Sequence, residues 1–271
     1  MTPHTLTPHT LAPGGLTPEE VLTALNLPVA ALADQRIPKT LLLEHGTPTS
    51  ADKRLIEAHV AELRWNATLR PDTVAIPAHD TATHAYPEVQ VMTLTRRALK
   101  PDSAGATRLR ELIHRAIPYP LLLLDADQES TWLSLAPKRR SQAQEGAVVL
   151  EHEVQAIPLA AGPFLAPLLA QLPPSVRPFA DLYHLYAHWQ AALLSWQVAA
   201  MTGQFRLYPQ PDPLRQPVQD YARLERELTA LRRAATREKS LARRAELNLK
   251  AKAVAAQQEE VRQLLLNWPA E

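Results

Sequence analysis

Hydrophobic and polar positions follow two periods along this chain, and the period changes at proline-rich breaks. Thr17 reads as an N-cap, with Pro18 at the first helical position and Glu19 and Glu20 in the first turn of a helix running to Leu27. Thr40 to Glu44 reads as a short strand. From Ser50 to Trp65, Leu55, Ile56, His59, Val60 and Leu63 recur along one side, which predicts a helix. Strands follow over Thr73–Ile76 and Val89–Leu94, with a long polar connection between them. Thr107–Ala116 is a helix with Leu109, Leu112 and Ile113 inward. Pro120–Asp125 and Thr131–Ala136 form a hairpin around residues 127–130, and Ala147–Val154 is a further strand. After the proline-rich 158–178, Phe179–Met201 is amphipathic and aromatic-rich, with Tyr183, Tyr186, Trp189 and Trp196.

The last quarter differs from the rest. The chain carries 25 prolines, yet from Val218 to Trp268 it has neither proline nor glycine, which predicts one long helix or a helical pair. Tyr221, Leu224, Leu228, Leu231, Ala235, Glu238, Ala242, Ala245, Leu249 and Lys252 fall in a heptad-like register. Glu238 and Lys252 interrupt this seam and the alanines thin it, so it predicts close packing against another helix but not a leucine zipper. The fold class expected is α+β: a mixed sheet with flanking helices, then a helical region and a long C-terminal coiled-coil-like arm. The boundaries read as a disordered leader over 1–15, an α+β core over 16–157, a proline-rich linker and amphipathic helix over 158–217, and the arm over 218–268.

Charge adds a candidate function. Between Arg232 and Lys252 stand Arg232, Arg233, Arg237, Lys239, Arg243, Arg244, Lys250 and Lys252 against two acids, Glu238 and Glu246, although the whole chain is only +1. A rod with a positive waist points to a protein partner or a polyanion; the simpler reading is a solvated face laced by pairs such as Glu246–Lys250. Lys138, Arg139 and Arg140 form a second basic cluster, suited to phosphates or to blunting an edge strand. Cysteine is absent, which excludes disulfides, a thiol nucleophile and a zinc ribbon. No apolar run has membrane-span length and the N-terminus has no signal core, so a cytoplasmic protein without membrane contact is expected.

Catalytic candidates are few. Asp80, Glu88 and Gln90 are the one constellation suited to a divalent metal such as Mg2+: Glu88 and Gln90 share a strand face at i,i+2, and the helix–strand–strand–helix layout resembles a restriction-endonuclease-like core. No lysine follows at the third position. His184 and His188 have the i,i+4 spacing of metal ligands, but Leu185 stands where a zincin helix carries glutamate, and the aromatic neighbours suggest a packed face. Asp125 and Asp127 read as turn residues. Trp65 and Asn66 read as a core aromatic and a helix cap. No glycine-rich phosphate loop is present, so ATP hydrolysis is not expected; no cofactor is expected, with Mg2+ the alternative if the chain is a nuclease.

Asp34-Gln-Arg-Ile-Pro-Lys39, Trp65-Asn66, Leu69-Arg-Pro-Asp-Thr-Val-Ala-Ile76, Glu88-Val-Gln90, Ala116-Ile-Pro-Tyr-Pro120 and Arg237-Glu-Lys-Ser-Leu-Ala-Arg-Arg-Ala-Glu-Leu-Asn248 follow one another in the chain. In that order they resemble the bacterial domain-of-unknown-function family 4391 over roughly residues 34–262. The resemblance implies no established activity. It implies neighbours of helicase or DNA-methyltransferase type in restriction-like or defence clusters. The expectation is therefore a non-enzymatic accessory or adaptor subunit that docks a protein partner, with the arm touching that partner or nucleic acid. The alternatives are a metal-dependent nuclease using Asp80, Glu88 and Gln90, or a structural homodimer joined by the arm.

Overall fold

The computed structural model describes residues 15–46, 48–144 and 146–269. The expected leader, residues 1–15, lies outside them except for Gly15. By contacts the described chain divides into two compact units, one ending at Trp189 and one beginning at Gln190. The division falls inside a helix, at neither of the boundaries after 157 and 217 that the sequence suggests.

The first unit opens with α1 (Pro18–Leu25). Thr17 and Glu20 cap its N-terminus reciprocally, and Asn26 ends it at positive φ. A single 3-10 turn (Val29–Ala31) leads into β1 (Leu32–Ile37), then α2 (Lys39–Gly46), α3 (Ser50–His59) and β2 (Val60–Leu69). Two expectations are corrected here. Thr40–Glu44 is helical, because turning from Pro38 into a helix buries Leu42 completely. The helix from Ser50 stops at His59, where the chain enters ten residues of strand. Trp65 therefore lies in β2, with Nε1 donating to Ala67 O at 3.1 Å, and Asn66 sits at a bulge, accepting from Thr93 Oγ1 at 2.8 Å.

The short α4 (Pro71–Val74) replaces the strand expected at Thr73–Ile76, since Pro71 starts a turn that Ala75 closes at φ 55°. A small ribbon follows, β3 (His79–Asp80) with β4 (Ala85–Tyr86), then β5 (Val89–Arg96), α5 (Ala104–Ala116), β6 (Leu121–Ala126) and β7 (Thr131–Leu135). A second ribbon pairs β8 (Lys138–Arg140) with β9 (Val148–Leu150). The unit continues through β10 (Gln155–Pro158), α6 (Leu165–Leu169) and the first part of α7 (Leu182–Thr202).

Six strands form one mixed sheet in the order β1-β2-β5-β6-β7-β10. All neighbours are antiparallel except β5 and β6, which α5 joins as a parallel pair. Period-2 alternation gives each face its own apolar set. Leu63, Met92, Leu94, Leu121 and Leu123 meet Leu42, Ile56, Leu109, Leu112 and Ile113 from α2, α3 and α5. Each such fully buried side chain contributes roughly 1.5–3 kcal/mol.

The second unit holds the rest of α7 with α8 (Asp212–Arg237) and α9 (Leu241–Leu266). Leu194 and Val198 of α7 pack with Tyr208, Leu214, Val218 and Leu265 at the root of this helical group.

Candidate nucleic-acid interface

The uninterrupted segment is a helical pair. Its α8 begins at Asp212, earlier than Val218, with Pro217 tolerated within the first two turns. Leu224, Leu228 and Ala235 are buried on α8 and Leu231 is half-buried, at the i, i+4, i+7, i+11 spacing of one helix face. Leu224, Leu228 and Leu231 pack with Ala251 and Val254 of α9, with Ala255 and Val261 beside them. Small alanines let the two axes approach.

At Glu238 and Ser240 the backbone becomes extended (ψ 126° and 121°), and Ser240 N donates to Glu238 Oε1 at 2.8 Å. This short turn, made without glycine or proline, resets the heptad register. Ala235 is inside as expected, but Leu249 is 69% exposed and Leu241 72%.

The fold thus converts a positive waist into a positive tip. Arg232, Arg233 and Arg237 end α8, Lys239 lies in the turn, and Arg243, Arg244, Lys250 and Lys252 occupy the first half of α9. All eight side chains are exposed. Lys250 pairs with Glu246 at 2.7 Å. The other seven have no ion-pair partner among the described residues. Two acids offset part of this charge: Glu246 is held chiefly by Lys250 and also by Arg243, both lowering its pKa, and Glu238 accepts from the turn amide. The hydroxyl of Ser240 makes no capping bond. Such a tip can hold phosphate or carboxylate groups.

The second basic cluster is placed differently. Lys138 is buried and cannot meet a phosphate. Its Nζ donates to His114 O at 2.7 Å and to Ile117 O, closing the C-terminus of α5, and burial pushes its pKa down to about 7. Beside it, His114 is held well below its ordinary pKa by burial, and its Nε2 is 3.1 Å from Ser134 Oγ. Arg140 is tied to Asp80 and to Thr81 O, so it braces one ribbon against the other. Arg139 Nη1 donates to Arg140 O at 3.1 Å.

Of the three nuclease candidates, Glu88 and Gln90 are in contact with each other, and Asp80 is engaged by Arg140. Asp80 is exposed on the ribbon and turned to Arg140. Glu88 accepts from Gln90 Nε2, and Gln90 Oε1 accepts from Thr68 Oγ1 at 3.1 Å. The position facing Gln90 on β2 is a threonine, Thr68. Among the described residues no group of three His, Cys, Asp or Glu is disposed to hold a metal. His184 is bound through Nδ1 to Asp181 Oδ1 at 2.8 Å; His188 is buried, and its pKa is pushed down to about 4 by that burial.

Asp127 makes the expected turn, accepting from Glu129 N and Ser130 N at 2.9 Å each. Asp125 is a buried anion between two arginines. Arg96 Nε donates to its Oδ1, and Arg110 Nε to its Oδ2 at 2.7 Å. Arg96 Nη2 lies 2.9 Å from Asp127 Oδ2, an ion contact outside hydrogen-bond geometry. Arg110 stacks over Trp132 at 4.5 Å. Neither arginine stood out in the sequence; Arg110 beside the inward Leu109 was the available sign. A second missed cluster joins His79 and His184 through Asp181, with His79 stacked on Tyr183 at 4.9 Å.

A family model described as "Domain of unknown function (DUF4391)" matches residues 25–257. The chain belongs to this family. The match takes in the sheet, α7, α8 and most of α9, including all eight tip cations, so the basic hairpin lies within the family's region. Neither a curated protein nor a solved structure matches the chain. No helix among the described residues is long and apolar enough to cross a membrane.

Proposed function

We propose that this member of the family is a non-enzymatic accessory subunit of a prokaryotic DNA-processing or defence system of helicase or methyltransferase type. Its helical hairpin is the contact element. One observation carries this reading: seven exposed, unpaired cations gathered at the tip of an α-hairpin. Leaving them unpaired costs self-repulsion, which an anionic partner relieves. The order of motifs that resembles the family supports the DNA-related setting.

Catalysis is not part of the reading. Gln90 spends its amide on Glu88 and Thr68, and Asp80 is engaged by Arg140. The test is anisotropy of a labelled mixed-sequence DNA with increasing salt. The full chain is expected to bind at low ionic strength, and Arg237, Lys239, Arg243 and Arg244 changed together to glutamine to lose most of that binding with helicity kept, since glutamine is a good helix former. Absence of any salt-dependent binding by the unaltered chain would remove the nucleic-acid half and leave an acidic protein groove as the partner.

A further inference from the structure

We infer that the first unit carries a binding site for a single phosphate group, held by Arg36, Lys39 and Arg97. The site is independent of the hairpin. A cavity of about 280 Å³ opens where β1 gives way to α2. Arg36, Ile37, Pro38 and Lys39 line one side of it, and Ala61, Glu62 and Leu63 of β2 line the other. Strand pairing decides which charges are free there. Arg36 stands directly opposite Arg64 across the β1–β2 ladder, and like charges so placed repel. Arg64 takes both acids of this patch, Asp34 and, at 2.9 Å, Glu62. Glu62, the acid in the cavity wall, is thus already engaged, and Arg36 is left over.

Arg97 arrives from the other side of β2. Its N donates to His59 O at 2.8 Å, one step past the Arg96–Val60 pair, which sets it at the end of β2 that forms the cavity wall. The three cations act on one another. Burial pushes the Lys39 pKa down, and the charges of Arg97 and then Arg36 push it further. Glu57 pulls the other way, but it also lies 4.0 Å from Lys53. Arg36 and Arg97 are exposed and Lys39 is half-buried. Among the described residues none of the three side chains makes a hydrogen bond or an ion pair. Three cations from three segments thus share one corner of the fold. A phosphate, with its charge and several acceptor oxygens, suits all three at once. Pockets for whole drug-sized ligands run about 300–1,000 Å³, so this one takes free phosphate or only the phosphate end of a larger molecule.

The test is the acylation rate of Lys39 in the full chain, read by peptide mass spectrometry at constant ionic strength. Inorganic phosphate and adenosine monophosphate are the probes, with chloride as the control. A bound anion favours the ammonium form, raises the Lys39 pKa and covers the amine, so acylation slows. Protection by phosphate is expected to saturate, half-complete near about 1 mM, while the exposed Lys53 keeps its rate. Protection by both probes makes a phosphomonoester a source of the group; protection by inorganic phosphate alone makes the free ion the ligand. Arg36→Gln and Arg97→Gln are each expected to weaken protection about tenfold or more, since each removes a charged hydrogen bond. Their melts should be unchanged, because both side chains are exposed. Changing Arg237, Lys239, Arg243 and Arg244 to glutamine is expected to leave Lys39 protection intact, which separates this site from the hairpin. No protection by either probe, equal slowing by chloride, or undiminished protection in both arginine variants overturns the inference.

Discussion

Changing Asp125 to Asn tests the account of the sheet's interior. The carboxylate is fully buried and both oxygens are used, one by Arg96 and one by Arg110, whose side chains are 0% and 3% exposed. Asparagine keeps the shape and removes the charge, leaving two buried guanidinium groups with only Asp127, Leu99 O and Pro101 O around them. Removing one partner of a buried ion pair costs about 3–5 kcal/mol, whereas an exposed pair is worth about 0–1. The expected loss is therefore a large share of the roughly 5–15 kcal/mol that holds a domain. At about 2–4 °C per kcal/mol for a unit of this size, the melt falls by roughly 10 °C. Urea unfolding would be followed by far-UV circular dichroism and by tryptophan fluorescence, to which Trp132 beside Arg110 contributes. A loss below about 1 kcal/mol would refute the buried triad. Asp127→Asn supplies the comparison: its carboxylate is 23% exposed, and its loss is expected to be clearly smaller. Replacing Arg96, Arg110 and Asp125 together by apolar residues of similar volume is expected to recover much of the stability.

Other outcomes follow from the same geometry. His188 has its pKa pushed from about 6.5 down to about 4, so the folded state resists its protonation. Its share of stability is complete above pH 6.5 and is lost as pH falls toward 4, by at most about 3 kcal/mol; His188→Gln is expected to flatten that part of a stability–pH profile. Leu228→Ala is expected to destabilise the hairpin by about 3 kcal/mol, seen as faster amide exchange in α8 and α9. Leu249→Ala should leave exchange unchanged, because Leu249 is exposed; equal effects would restore the continuous heptad register. A chain ended after Gln210 uncovers Leu194, Val198 and Tyr208. It is expected to bind a hydrophobic dye and aggregate, and a soluble product with a cooperative melt would show that α8 and α9 are dispensable.

The α+β class and the long C-terminal helices were legible because their signals are local. The Thr17–Glu20 box, the inward Leu109-Leu112-Ile113 set and the turn at Asp127 each act within a few residues. The misread segments depend on partners far along the chain. Val60 to Trp65 carries an apolar spacing that suits a helix, yet β1 on one side and β5 on the other draw it into strand. The tip was legible in charge and not in shape. Nothing at Glu238-Lys239-Ser240 breaks a helix by propensity, and the α8 residues Leu224 and Leu228 find their α9 partners Ala251 and Val254 only once the chain has reversed. Lys138 had the same charge as its neighbours, and only the open end of α5 distinguishes it.

The group that covers α7 also sets a schedule. Leu194 and Val198 are made well before Leu214 and Val218, and Leu265, which completes the same cluster, follows Val198 by 67 residues. At about 5–20 residues per second, that face of α7 waits roughly 3–13 s on the ribosome for its last neighbour. The reversal at residues 238–240 shortens what remains, because α8 and α9 then meet through contacts close in sequence, which form quickly once α9 emerges. Synthesis thus passes through an interval in which the sheet has all its strands while an apolar helix face stands open, and that interval is when the nascent chain is most exposed to chaperones and to its own copies.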